Sequence, residues 1–253
     1  MAYLPKLEER ESLHPGILPD VLTHCAAFAH RIPCSCGRGY LIEGCIVESP
    51  DSVIKIYDRW GKFYDLVFKD VFHEGRNVGV DMLDLQPGEK LLEVGVGTGL
   101  SLPLYPSTSE IIAIDISSKM LEKAKEKVHK MSLKNVELAV MDAQNMAYED
   151  NTFDCVTACY VVSAAPDPHK VVSEICRVCK PGGRVVFINH FKSKKFLLAK
   201  FEELINGVCK KFGWETTLDL EPLLEANNLT LERQERVNIF DYWRAVLCIN
   251  SDK

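Results

Sequence analysis

The run Glu93-Val94-Gly95-Val96-Gly97-Thr98-Gly99 sets one carboxylate two residues ahead of three alternating glycines, behind the apolar Leu91-Leu92. Glycine admits positive φ and lets a ligand touch the backbone, and a helix after such a turn offers N–H groups that lack partners. The segment therefore reads as a buried strand running into a ligand-binding turn. A dinucleotide site needs G-x-G-x-x-G, with a third glycine that packs helix on strand and a backbone that faces a pyrophosphate. Here the glycines fall at 95, 97 and 99, position 100 is Leu, and Glu93 is a poor neighbour for a pyrophosphate. The acid suits a ligand that carries a positive amino group and no phosphate.

Two more acids stand at the ends of the next two apolar runs. Asp115, 18 residues beyond Gly97, can accept both hydroxyls of a ribose. Met141-Asp142-Ala143 closes the third run; an acid there can accept an adenine amino group, while the following backbone N–H faces a ring nitrogen. Singly, glycine turns and strand-end acids are common punctuation. Acids at three successive strand ends are a far more specific pattern. Together they point to S-adenosylmethionine as the cofactor, since it joins adenosine to a free amino group.

Methyl transfer from a sulfonium is an in-line displacement, for which a protein mainly supplies alignment and a dry site. An amine acceptor must first lose a proton. His190, directly after the fifth strand, is the candidate to take that proton or to orient the head group; a histidine that caps a strand end is the alternative. Tyr57, Trp60 and Tyr64 recur at helical spacing, with Phe63 alongside. Such stripes commonly pack a core, and Trp60 and Phe63 are assigned there. Tyr57 and Tyr64 are candidates for an aromatic lid that stabilises a sulfonium or methylated ammonium by about 0.5–2 kcal/mol each. The basic stretch 192–212, from Lys192-Ser193-Lys194-Lys195 to Lys210-Lys211, reads either as a solvated helix face or as a contact with anionic membrane. His24, Cys25, His30, Cys34, Cys36 and Cys45 cluster near the N-terminus, but their spacing is not a usual zinc or iron–sulfur set, so no metal is assigned.

From Lys90 onward, short apolar runs alternate with amphipathic stretches, the pattern of a parallel sheet covered by helices. Strands are expected at Lys90–Gly95, Glu110–Asp115, Val136–Met141, Phe153–Tyr160 and Gly183–His190. Ser117–Met131 begins with serines able to cap a helix and puts Met120, Leu121, Ala124 and Val128 on one face. Pro168–Cys179 reads as a second helix, stopped by the turn Pro181-Gly182-Gly183. Phe191–Trp214 is expected to be helical, and Leu229–Ser251 to form an antiparallel strand pair at the sheet edge. Residues 1–50 are read as a cysteine-rich cap with a helix at Leu18–Arg31 and a hairpin at Ile32–Glu48. Residues 51–253 form the main domain, entered through the helical stretch Asp51–Leu83.

The net charge of −6 exerts no global pull toward nucleic acid, and no such partner is expected. The N-terminus lacks the apolar core of a signal peptide. The longest weakly polar run, Cys155–Ala165, has 11 residues, far below the roughly 20 that span a bilayer. A cytoplasmic protein with mostly reduced cysteines, at most lying on a membrane, is the expectation.

The segments LLEVGVGTGLSLPLYP, IDISSKMLEKAKEKV, MDAQNM, YVVSAAPDPHKVVSEICRVCKPGG and VFINHF, with the leading IYDRWGKFYDLVF and Gly75-Arg76, resemble the bacterial phospholipid N-methyltransferases and their ubiquinone/menaquinone-biosynthesis relatives. The resemblance runs from about Ile54 to Trp214 and leaves out residues 1–50. It implies a Rossmann-like α/β fold, the seven-stranded class I methyltransferase plan, here with an N-terminal helical cap. It also implies that Glu93, Gly95, Val96, Gly97, Thr98, Gly99 and Asp115 contact the cofactor's methionine and ribose. Ile116 and Met120 would pack on the adenosine, Asp142 and Ala143 would read the adenine, and Tyr160 and Val161 would lie beside the sulfonium. The acceptor implied is a phosphatidylethanolamine-type amine. A quinone ring or small soluble metabolite is the alternative, and a non-catalytic cofactor- or metal-binding regulator is a more distant one.

Overall fold

The computed structural model describes residues 72–193, 199–200, 202–204, 206, 209, 216–238 and 242–251. The expectations for the cap, the boundary at residue 50, Tyr57, Trp60, Phe63, Tyr64, the N-terminal cysteine and histidine group, and Lys194, Lys195, Lys210 and Lys211 lie outside the described residues.

The described chain begins with helix α1 (His73–Leu83) and continues through β1 (Lys90–Val94), β2 (Glu110–Asp115), α2 (Ser118–Met131), β3 (Val136–Val140), β4 (Phe153–Cys159), α3 (Pro168–Val178) and β5 (Cys179–Asn189). A short helix α4 (Leu220–Glu225), additional to the expected elements, precedes β6 (Leu229–Val237) and β7 (Trp243–Asn250). The strands form one seven-stranded sheet in the order β3-β2-β1-β4-β5-β7-β6. β1 to β5 are parallel, and β7 runs antiparallel to both β5 and β6. β1 pairs with β2 on one side and β4 on the other, so the strand order reverses at β1. In open α/β sheets that switch point opens a crevice beyond the carboxyl ends of the strands.

Local chemistry explains the elements. Four of the five β1 residues are buried, as expected of a strand covered on both faces. The Ser117 side chain caps α2 by accepting from Met120 N at 3.3 Å, and Met120, Leu121 and Ala124 are buried as their spacing required. Asp167 caps α3 by accepting from Lys170 N at 3.0 Å, with Pro168 in the first turn, where its missing N–H costs nothing. Two expectations differ by more than a residue: Phe191–Ser193, expected to open a helix, are not helical, and the turn expected to stop α3 is strand. α3 ends at Val178, and Pro181-Gly182-Gly183 lie inside β5 rather than ending the helix. Cys179 already pairs with Phe153 while Arg184 pairs with Cys155, so the proline and glycines occupy a bulge in the ladder.

Both sheet faces are apolar. Phe153, Val156, Phe187 and Val246 pack under Val171, Val172 and Ile175 of α3 and Leu223 of α4. On the opposite face Leu91, Ile111, Val186 and Ile188 meet Met82 and Leu83 of α1 and Leu121 and Ala124 of α2. Among the described residues, no helix is long and apolar enough to cross a membrane.

Candidate active site

The glycine turn leaves β1 at the switch point. Gly95 N and Val96 N both donate to the Ile114 carbonyl, at 2.8 and 2.9 Å, which ties the turn to the end of β2. Gly95 has φ 70°, and a Cβ there would stand 2.1 Å from Val161 Cγ2. Only glycine lets the turn come this close to the residues that follow β4. Gly97, at φ 56°, has no atom within 4 Å of where its Cβ would be, so it faces open space. Its N–H donates to Asp115 Oδ2 at 2.8 Å, and Ser117 N–H donates to Oδ1 at 2.8 Å. Burial pushes the Asp115 carboxyl above its ordinary value against the downward pull of these backbone donors.

Two hollows meet at this turn. The first, about 770 Å³ and open, is lined by Asp115, Ile116, Met120, Asp142, Ala143 and Val161, with Met141, Gln144 and Ala164. The second, about 340 Å³, is lined by Arg76, Glu93, Val96, Thr98, Leu100 and Ser101. Gly95, Gly97, Cys159 and Tyr160 border both. The structure thus brings together every proposed cofactor residue except Gly99. That glycine lies against Leu102 and Ala124, where a Cβ would come within 2.8 Å of Leu102 Cδ1. It seats α2 on the turn and lines neither hollow.

Glu93 is buried, and the Ser101 hydroxyl donates to its Oε1. Loss of hydration raises its carboxyl to about 7, opposed by the Ser101 and Tyr105 hydroxyls and the Arg76 charge. The same burial, with Glu93 nearby, pushes the Tyr105 phenol well above its usual value and the Cys159 thiol up to about 12. Cys159 is therefore a neutral wall and not a nucleophile. The sequence marks Arg76 only as part of the Gly75-Arg76 pair. The available signal was its place on the buried stripe of α1, Gly75, Arg76, Gly79, Met82 and Leu83, where a guanidinium has no packing reason to be. Asp142 accepts from Gln144 N at 2.9 Å, which fixes the turn that carries Ala143.

His190 follows β5 as expected but lines neither hollow. Its ring stacks on Tyr242 at 4.1 Å, and Nδ1 lies 3.1 Å from the Tyr242 carbonyl. A carbonyl only accepts, so Nδ1 carries the proton. Nε2 faces Glu202 Oε1 at 3.5 Å, with Glu202 fully buried. Burial holds the His190 value below its usual one, opposed by the Tyr242 carbonyl and the Glu202 charge.

This donor set fits S-adenosylmethionine. The first hollow offers apolar walls and two carboxylates to an adenosine; the second sets Glu93 and Arg76 where an amino group and a carboxylate could both be neutralised. Tyr160 and Cys159 stand where the halves join.

Residues 92–187 match the family model described as "Methyltransferase domain". The phosphatidylethanolamine N-methyltransferase of Cereibacter sphaeroides is 42% identical over 172 residues, covering 68% of this chain and 84% of that protein. The chain belongs to the S-adenosylmethionine-dependent methyltransferases. A demethylmenaquinone methyltransferase of Bacillus cereus is 30% identical to this methyltransferase over 179 residues, 63% of the chain and 74% of the relative. Among solved structures, a phospholethanolamine N-methyltransferase of Haemonchus contortus, bound to phosphomonomethylethanolamine and S-adenosylhomocysteine, superposes with a TM-score of 0.63. It is 20% identical and spans 79% of this chain and 61% of its own. At that identity it shows the shared fold. The expected class I methyltransferase plan is thereby established for the sheet and its helices; S-adenosylmethionine as the cofactor follows from the family match.

Proposed function

We propose that this methyltransferase N-methylates the amine head group of a phospholipid, with phosphatidylethanolamine as the leading acceptor. The observation that carries this reading is the 42% identity across most of a relative named for that reaction. When bound, the cofactor supplies an activated methyl group on a sulfonium. Glu93 would hold its amino group and Arg76 its carboxylate, and Asp115 the ribose hydroxyls. Asp142 and the Ala143 backbone would read the adenine between Ile116 and Met120. Gly95, Val96, Gly97 and Thr98 would form the backbone cradle, with Tyr160 and Val161 at the reacting end. Tyr57 and Tyr64 remain the proposed aromatic lid. His190, paired with Glu202, is assigned to holding the end of β5 rather than to deprotonating the amine. Contact of the 192–212 segment with anionic lipid at the cytoplasmic membrane surface would deliver the acceptor.

A quinone ring is the second reading, favoured by the Bacillus cereus relative. The two are separated by incubating the purified protein with S-adenosylmethionine and either phosphatidylethanolamine micelles or a demethylated quinone. The lipid should gain mass in methyl steps and the quinone should not; the reverse pattern rejects the phospholipid reading. Flotation with vesicles containing anionic lipid tests the membrane contact, which no binding at low salt would exclude.

A further inference from the structure

Two residues other than glycine with left-handed backbones touch each other beside the site, Tyr160 at φ 62° and Asn238 at φ 65°. Asparagine tolerates this conformation; for tyrosine it costs on the order of 1–3 kcal/mol and persists only where surroundings impose it. Asn238 directly follows β6, at the antiparallel edge of the sheet, and is buried. Three of its polar groups are engaged. Nδ2 donates to Tyr160 Oη at 2.9 Å, Oδ1 accepts from Gly75 N at 2.8 Å, and its own N–H donates to Glu74 Oε2 at 3.0 Å. Gly75 has no room for a side chain, since a Cβ there would stand 2.3 Å from Tyr160 Oη. The Phe72 ring stacks on Tyr160 at 4.2 Å, and Trp243 meets Phe72 edge-on at 5.2 Å. The start of α1 and the end of β6 thus close on the hydroxyl end of a residue that borders both hollows.

We propose that Asn238 is a positioning residue for methyl transfer, pinning Tyr160 at the junction of the two hollows so that the acceptor meets the methyl donor in line. The inference rests on the methyltransferase activity and on no particular acceptor. The polarity of the pin matters for its test. The amide donates to Tyr160 Oη, so the phenol proton points elsewhere, toward the Phe72 carbonyl at 3.4 Å. An aspartate at 238 would reverse the bond by accepting the phenol proton, and would still accept from Gly75 N. Alanine at 238, or phenylalanine at 160, removes the bond.

The test measures kcat, acceptor KM, S-adenosylhomocysteine affinity and Tm for N238A, N238D, Y160F and the N238A/Y160F double variant, with phosphatidylethanolamine micelles as acceptor. N238A and Y160F should each lower kcat about tenfold, the worth of one positioned hydrogen bond, and leave cofactor affinity within about threefold. The double variant should be no worse than N238A within about twofold, because both changes delete the same Asn238–Tyr160 bond. N238D should recover most of the lost kcat. Unchanged kcat in N238A and Y160F, or losses that multiply in the double variant, overturns the proposal. Should N238A not fold, Y160F and N238D decide in the same sense. Should the wild type not turn over phosphatidylethanolamine, the phospholipid reading fails by itself. The pin is then read from the ring resonance of ¹³C-labelled Tyr160 in the S-adenosylhomocysteine complex. It should shift in N238A and be retained near its wild-type position in N238D; an unmoved resonance in N238A overturns the pin.

Discussion

The Gly97 amide donates to Asp115 Oδ2 at 2.8 Å, joining the turn after β1 to the last residue of β2. With Ser117 N–H on the other oxygen, the carboxylate shapes the glycine turn and keeps lone pairs turned to the first hollow. Asp115→Ala should therefore weaken S-adenosylhomocysteine binding roughly ten- to a hundredfold, the range for hydrogen bonds to a charged group. Asp115→Asn, which retains one acceptor oxygen, should lose less. Isothermal titration measures both, and unchanged affinity in a folded Asp115→Ala protein would count against the assignment.

Glu93 makes the unliganded protein sensitive to pH. Its folded-state value of about 7 lies above the ordinary 4.5, so between those values the folded chain holds a proton that the unfolded chain has released. Stability contributed by the neutral form is full below about 4.5 and is lost as pH rises toward 7; the cost, on the order of 3 kcal/mol, then persists at higher pH. Glu93→Gln should accordingly raise the Tm of the unliganded protein at pH 8 and have little effect at pH 5. The same change should weaken S-adenosylhomocysteine binding, because the amino group loses its anion. In the wild type, affinity should fall as pH drops below about 7. Calorimetry across pH 5–8 checks each sign, and a pH-independent affinity would remove Glu93 from the amino-group role.

Gly95 and Gly97 should fail in different ways when given a methyl group. Gly95→Ala meets Val161 at 2.1 Å and should destabilise the fold by about 2 kcal/mol or more, as overpacking adds to the backbone strain. Gly97→Ala has open space and should cost only about 1 kcal/mol of conformational strain. Its methyl group projects where the ligand must lie, so cofactor affinity should drop more than stability does. Urea unfolding beside titration calorimetry separates the two, and intact cofactor binding by Gly97→Ala would contradict the position given to this turn.

His190→Ala should act mainly on stability. It removes the ring that stacks on Tyr242 and faces the buried Glu202, a loss of about 1–3 kcal/mol for a buried polar group left beside a void. Adding Glu202→Gln should restore part of it, and turnover per folded molecule should remain. A stable His190→Ala protein without turnover would return His190 to the role of proton acceptor.

The sequence was most legible where the signal is local. Apolar runs gave the strands within a residue or so for β1 to β4, and the Ser117 cap and spacing of Met120, Leu121 and Ala124 gave α2. Three glycines and the acids at 93, 115 and 142 marked the cofactor turn, since backbone freedom and strand-end position are properties of neighbouring residues. Pro181-Gly182-Gly183 misled, because a local turn signature does not reveal that the partner strand can absorb a bulge.

Tertiary structure decided what each of these groups does. Glu93 becomes a carboxyl near neutrality only when β1 is covered on both faces, and Gly99 becomes a packing residue only because α2 lies on it. Arg76 reaches the second hollow because α1 turns its buried stripe toward the glycine turn. His190 is stacked on Tyr242 and turned toward the buried Glu202, and Tyr160 is held by Asn238, a residue whose bond to Gly75 spans 163 positions. Hydration, charge and hydrogen-bond partners at such separations depend on which elements meet in space. The amino-acid order by itself therefore named the cofactor turn, and folding chose the residues that surround it.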